Sequence, residues 1–232
     1  AVGDSAMYFN TTGYQNTAIG HRALYLNLTG YNNIAIGNKT LDSNNTGNSN
    51  TAVGNGTLCR NKVGTWNTAC GVAALWSNNA DYNNAVGGNA MRLNTTGTQN
   101  CAFGVNALRS NTTGSNNAAY GNGSLYSNTT ASDNTAMGAG ALYTNTAGYN
   151  TAVGTHALRL NTTGYNNVSI GYKALYSNTD RGKLVAIGDS ALYNNGIGVV
   201  NSWDATGNTA VGSKAMYSNT TGYFNTSLGY NS

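Results

Sequence analysis

Side chains able to act as acids, bases, nucleophiles or metal ligands are few in this sequence, and they are dispersed. The two histidines, His21 and His156, are far apart in the chain, and glutamate is absent. The acidic residues are Asp4, Asp42, Asp81, Asp133, Asp180, Asp189 and Asp204. Nothing in this set has the ligand spacing of a zinc site or singles out the paired carboxylates of a glycosidase. We therefore predict a protein that is not an enzyme and that uses no cofactor and no metal.

The charge pattern also argues against nucleic acid and membrane partners. Charged residues make up 8% of the chain, against roughly 25% in an ordinary soluble domain. The 11 lysines and arginines are scattered without a basic run, whereas a nucleic-acid groove needs clustered cations. No stretch of about 18 apolar residues is present, so we expect no insertion into a membrane.

The elements that must position these residues come from an internal repeat. A tripeptide of a small residue, an apolar residue and glycine recurs along the chain, as in Ala18-Ile19-Gly20 and Ala152-Val153-Gly154. Successive glycines are 17 residues apart in ten intervals, 16 in two and 24 in one. We number the repeat A-[VI]-G-x-x-A-L-Y-x-N-T-T-G-Y-N-N-T from 1 to 17 and call one repeat a rung. Residues 1–232 are predicted to be a single array of thirteen rungs and a stub, a segment of a longer fibre.

Each position of the repeat has a predicted role. Position 2 is apolar or aromatic and position 7 is Leu or Met, so we expect these two columns to form the core. Positions 1 and 6 are small, and position 3 is glycine in every copy, which requires a positive φ or a close backbone approach. Cys70 occupies position 2 and is expected in the core. Cys101 lies two rungs further on, about 9 Å away by strand spacing, so we expect no disulfide between them.

Position 10 is asparagine in all thirteen complete rungs. These residues are Asn10, Asn27, Asn44, Asn61, Asn78, Asn94, Asn111, Asn128, Asn145, Asn161, Asn178, Asn195 and Asn219. Asparagine tolerates the left-handed backbone of turns, and stacked copies can form a ladder of amide hydrogen bonds. We predict that this column forms both a turn and a ladder.

These columns predict an all-β fold, a parallel β-solenoid or β-roll of 17-residue rungs. Seventeen residues are too few for the common helical repeats, and Thr-Ala-Val-Gly alternates with a period of two. We expect two short strands per rung, rungs about 4.8 Å apart, and a rod on the order of 60 Å. Its thin core would leave alanine faces and tyrosine rows exposed, which indicates a partner surface and self-association, as a homo-oligomer such as a trimer or as a filament.

One rung carries the only large irregularity. The repeat that begins at Ala186 has seven extra residues near 195–202, and such an insertion must leave the solenoid through a turn. The inserted segment contains Val199 and Val200 and is followed by Trp203. We name these three residues as a candidate binding loop; packing of the loop against the rod or a neighbouring chain is the alternative.

The segments Asn16–Gly20 and Asn50–Gly54 resemble the head repeats of YadA-like trimeric autotransporter adhesins. The phrase Asn161–Asn167 is similar to repeats of phage and bacterial tail-fibre proteins. The resemblance covers essentially the whole chain, although adhesin head repeats are usually shorter than 17 residues. It implies a left-handed, trimeric β-roll in an extracellular, cell-surface or virion fibre.

Three functions are compatible with this pattern. The first is a non-enzymatic structural or adhesive fibre segment that associates with itself. The second is a carbohydrate- or receptor-binding module that uses tyrosine and tryptophan rows to bind a surface glycan or receptor. The third is ice binding by the threonines of position 17, a column that Ile34, Cys101, Ala118, Val168 and Val185 interrupt. We expect the fibre.

Overall fold

The computed structural model describes residues 1–232 and contains thirteen three-residue β-strands and no helix. The strands are β1 (Thr17–Ile19), β2 (Ile34–Ile36), β3 (Thr51–Val53), β4 (Thr68–Cys70), β5 (Asn84–Val86), β6 (Cys101–Phe103), β7 (Ala118–Tyr120), β8 (Thr135–Met137), β9 (Thr151–Val153), β10 (Val168–Ile170), β11 (Val185–Ile187), β12 (Thr209–Val211) and β13 (Thr226–Leu228). No helix long and apolar enough to span a membrane is present.

The chain divides into two compact units, Ala1–Asn116 and Asn117–Ser232. The first contains β1 to β6 and the second β7 to β13, and within each unit neighbouring strands pair in chain order and in parallel. Equivalent positions face each other, so that Thr17 lies opposite Ile34 and Ala18 lies opposite Ala35. Each unit is therefore a parallel β-solenoid with one strand per rung, and the predicted all-β solenoid is confirmed.

The side of the strand that faces the interior is the opposite of the one that we predicted. Position 1 is buried, with Ala18 and Ala35 almost completely inaccessible, whereas Ile19 and Ile36 at position 2 are exposed. The prediction that position 2 forms the core is wrong, and so is the expectation of exposed alanines. Because Leu24 at position 7 and the asparagine columns already fill the narrow interior, the strand has room to contribute only a small side chain, alanine or, at Ser169, serine. Cys70, at position 2, is accordingly exposed.

The segment after the strand is also not the second strand that we predicted. Positions 5 and 7 have positive φ in every rung, as in Arg22 (φ 54°) and Leu24 (φ 51°). Left-handed residues at these positions alternate with residues of negative φ. The segment still forms backbone hydrogen bonds between rungs: the Leu24 amide donates to the Thr40 carbonyl (3.0 Å) and the Leu26 amide donates to the Asp42 carbonyl (2.9 Å). Rungs are thus stacked by backbone hydrogen bonds in a segment that is not extended.

Position 3 confirms the glycine prediction on both counts. Its φ lies between 127° and 141° in all fourteen copies. A Cβ on Gly87 would also lie 2.5 Å from the carbonyl oxygen of Gly104 in the next rung. The strand can leave the sheet here only because no side chain separates the stacked rungs.

Position 8 carries the tyrosine rows, which stack along the surface. Tyr176 and Tyr193 are nearly parallel with ring centroids 5.2 Å apart, and Tyr193 stacks on Tyr217 at the same distance. Tyr8 is exposed, as predicted, whereas stacking leaves Tyr143 half-buried. These rings therefore cover one another as well as facing solvent.

Candidate functional site

The position 10 asparagines form a ladder inside the solenoid. Asn44 is fully buried, and its Nδ2 donates to Oδ1 of Asn27 in the preceding rung (2.7 Å) and to the Gly47 carbonyl of its own rung (2.9 Å). The Nδ2 of Asn61 donates in turn to Oδ1 of Asn44 (3.1 Å). The predicted ladder is confirmed. None of the thirteen residues has a positive φ; the column lines the interior.

A second buried column of asparagines occupies position 16, which the sequence reasoning missed. Asn50 accepts at Oδ1 from both the backbone amide (3.0 Å) and Nδ2 (3.0 Å) of Asn67. The Nδ2 of Asn50 donates to the Gly64 carbonyl, which also accepts from Asn61 of the first column. The available signal was that position 16 is asparagine in nearly every rung. The polar groups of the interior therefore bind one another and leave no interior ligand site here.

The titratable and nucleophilic residues are mostly far from one another in the structure. His21 lies 3.4 Å from Asp4, and both side chains are exposed. Arg22 pairs with Asp42 at 2.8 Å, and that hydrogen-bonded contact raises the arginine pKa. Burial raises the pKa of the free Cys59 thiol and lowers the pKa of His156, which Arg159 and Lys173 lower further. No group of three or more His, Cys, Asp or Glu side chains is arranged to hold a metal ion.

The outward side of each sheet presents a continuous uncharged surface. We call it the outer sheet face: the position 17 and position 2 residues of β1 to β6 in the first unit and of β7 to β13 in the second. It exposes Ile34 and Phe103 in the first unit and Tyr120, Met137 and Ile170 in the second. All 11 basic and 7 acidic residues lie at other positions of the sequence. The face is apolar and hydroxyl-bearing, and it lacks the charges that would favour exposure to water alone.

The inserted segment leaves the solenoid between two core positions. Asn195 keeps its place in the ladder, with Nδ2 donating to Oδ1 of Asn178 (3.3 Å) and to the Ala205 carbonyl (2.9 Å). Residues 196–204 therefore replace the two residues that usually separate these positions. In the candidate binding loop, Val200 and Trp203 are exposed and Val199 is half-buried.

Asp204 fixes the conformation of this loop. Its Oδ2 accepts from the backbone amides of Asn201 (2.9 Å) and Val200 (3.1 Å), and these bonds lower the pKa of the carboxyl group. Arg181 donates from Nη1 to the Ser202 carbonyl (2.9 Å). The loop is thus tied both to itself and to the neighbouring rung.

A cleft of about 190 Å³ lies beside the loop in the second unit. It is lined by Tyr165, Asp180, Gly182, Lys183, Ser202, Thr206, Gly207 and Phe224. Of the inserted segment only Ser202 lines it; Trp203, Val199 and Val200 do not. The sequence analysis pointed to the loop but missed the cleft residues at positions 14 and 15. Gly207, the only glycine at position 15, was the signal in the sequence that could have indicated them.

Comparison with models of known protein families gives no match, and no curated protein sequence matches the chain significantly.

Proposed function

We propose that this protein is a non-enzymatic structural or adhesive fibre segment, assembled from identical chains through the outer sheet face. The observation that carries the proposal is the apolar column of position 2, whose side chains are exposed or half-buried and which continues from rung to rung without a charge. An exposed apolar surface of this kind stabilises an assembly when a partner covers it.

An identical chain suits this face for a geometric reason. Its rungs have the same spacing, so its apolar column stays in register with this one, whereas a globular partner would cover only part of it. Symmetric self-association is also the commonest form of protein assembly. The resemblance to trimeric head repeats makes three chains the proposed number, with the left-handed roll and the extracellular or virion location that it implies.

Ice binding is the competing use of the same face. Thr51 and Thr68 at position 17 do lie on it, in adjacent strands. Position 2, however, ranges in size from Cys70 through Val53 to Tyr120. Such unequal side chains favour interlocking with another chain over matching the regular spacing of ice, and thermal hysteresis of the purified protein would reveal the alternative.

The test compares two charged double variants of the full chain. In Ile36→Lys/Ile170→Lys, each unit receives one cation on the outer sheet face. The control, Asn38→Lys/Tyr172→Lys, places the same charge two residues further along the same rungs, at exposed positions off the face. Sedimentation velocity would give the mass of each, and circular dichroism would verify folding.

We expect the wild type and the control to sediment at three times the 24.0 kDa chain mass, and the face variant as a monomer. A monomeric wild type would refute the proposal, as would a face variant that assembles as well as the control does.

A further inference from the structure

The cleft in the second unit exists because two outward side chains are absent. Residues at position 15 are exposed in most rungs and those at position 14 are exposed or half-buried in most, and Gly207 is the only glycine at position 15 of any rung. Gly182 lies at position 14 of the preceding rung. Aromatic residues bound this gap, with Tyr165 on one side and Phe224 on the other. The cleft therefore forms where glycine replaces the usual side chains at position 14 of one rung and position 15 of the next.

The glycines also allow the two rings to lie close to the backbone. A Cβ on Gly207 would be 2.4 Å from Cδ1 of the Phe224 ring. A Cβ on Gly182 would be 3.4 Å from Cδ1 of the Tyr165 ring. Both aromatic side chains remain about half exposed or more, so their apolar faces are available to a ligand.

Polar groups of both signs line the space between these rings. Asp180 has its Oδ1 positioned by the hydroxyl of Thr179 (3.2 Å) and the Nε of Arg181 (3.2 Å). The Lys183 side chain is exposed and forms no hydrogen bond or ion pair within the protein. Thr206 donates its hydroxyl proton to the Trp203 carbonyl (2.6 Å), which leaves its oxygen lone pairs as acceptors. Fixed acceptors and a free donor thus face the same small volume.

We propose that this cleft binds one pyranose residue of a glycan. A sugar ring has an apolar C–H face that packs on an aromatic ring and a rim of hydroxyls that both donate and accept hydrogen bonds. Asp180 accepts from such hydroxyls and Lys183 donates to them. The volume of about 190 Å³ is below the roughly 300 Å³ lower end of drug-sized pockets, so it suits a single ring.

This site goes beyond the fibre proposal and does not depend on it. Its residues occupy positions 12, 14 and 15 and the inserted loop, none of which belongs to the outer sheet face. Loss of assembly in Ile36→Lys/Ile170→Lys should leave sugar binding unchanged. The two proposals can therefore fail separately.

The experiment is saturation-transfer difference NMR of the full chain with the methyl glycosides of glucose, galactose, mannose and N-acetylglucosamine. The main variant is Gly207→Asn, which gives position 15 the residue that Asn32 and Asn166 carry with the same positive φ, and fills the cleft. Phe224→Ala removes one ring without touching the loop. Trp203→Ala is the control, because Trp203 is exposed on the loop but does not line the cleft.

We expect at least one glycoside to show transfer, with binding at least tenfold weaker in Gly207→Asn and Phe224→Ala and unchanged in Trp203→Ala. Thermal melts would verify that all variants fold. Absence of transfer to all four glycosides would overturn the proposal. So would undiminished binding in Gly207→Asn, or loss of binding in Trp203→Ala alone, which would assign the sugar to the loop instead.

Discussion

At the residue scale, the most unexpected feature is a leucine column with left-handed backbone. All thirteen position 7 residues have φ between 47° and 52°, and Leu58 and Leu108 are fully buried. A left-handed conformation costs an L-residue about 1–2 kcal/mol, whereas burying a leucine side chain contributes about 1.5–3 kcal/mol. Burial thus offsets the strain, which explains why this column stays large while the neighbouring position 6 stays small.

Two adjacent glycines allow the backbone requirement to be tested directly. Gly87→Ala should be destabilising by at least about 2 kcal/mol, because φ is 130° and the new Cβ would meet the Gly104 carbonyl. Gly88→Ala should change the stability by no more than about 0.5 kcal/mol, since nothing lies within 4 Å of its Cβ position. Urea unfolding followed by circular dichroism gives both values, and equal midpoints for the two variants would contradict the assigned role of position 3.

At the element scale, the inserted loop is ordered within itself by the Asp204 carboxylate. Because the pKa of Asp204 is lowered by the Asn201 and Val200 amides, the ionised form is the one that the folded loop favours. Its contribution to loop order is therefore present at neutral pH. It is lost as the pH falls below the ordinary aspartate value of 3.8 and through the lowered pKa of this group.

Trp203, next to Asp204, reports this transition. In a Trp66→Phe/Trp76→Phe background, we expect Trp203 fluorescence to be constant near neutral pH and to change in acid as Asp204 is protonated. Asp204→Asn should resemble the acid form already at neutral pH and lack the transition. An Asn variant that keeps the wild-type fluorescence and its acid transition would show that another group controls the loop.

At the scale of the whole molecule, each unit is a stack in which a rung bonds chiefly to its two neighbours. Backbone bonds, the two asparagine ladders and the stacked tyrosines all connect equivalent positions of adjacent rungs. Stability of such an array is close to a sum over rungs and their contacts. A constant repeat length therefore keeps equivalent positions of adjacent rungs stacked on one another, and no single rung is essential for this.

Removal of one complete rung tests this additivity. Deletion of residues 35–51 joins Ile34 at position 17 to Ala52 at position 1, so every column continues in register. We expect a folded chain with only a modestly lower urea midpoint. Deletion of residues 35–42 alone breaks the register of all columns and should abolish folding of the surrounding rungs. Circular dichroism and unfolding curves compare the two, and equal stability would contradict the model of additive rungs.

The candidate site could be anticipated only in part. The length of the rung that begins at Ala186 indicated a loop, and Trp203 was the natural residue to name within it. The cleft instead combines Ser202 of the loop with Tyr165 and Phe224 from other rungs. Which columns meet at the base of a loop depends on how the rung folds around its interior, and the period does not specify this.

The sequence by itself determined the period, the parallel stacking, the glycine at position 3 and the ladder at position 10. Each follows from the same residue type recurring at the same position of every rung. Only the tertiary structure decided which side of the strand faces inward. Alternation with a period of two separates Ala18 from Ile19 but does not say which is buried. Leu24 and the two asparagine columns leave space for a small side chain alone, so the isoleucine lies outside on the outer sheet face.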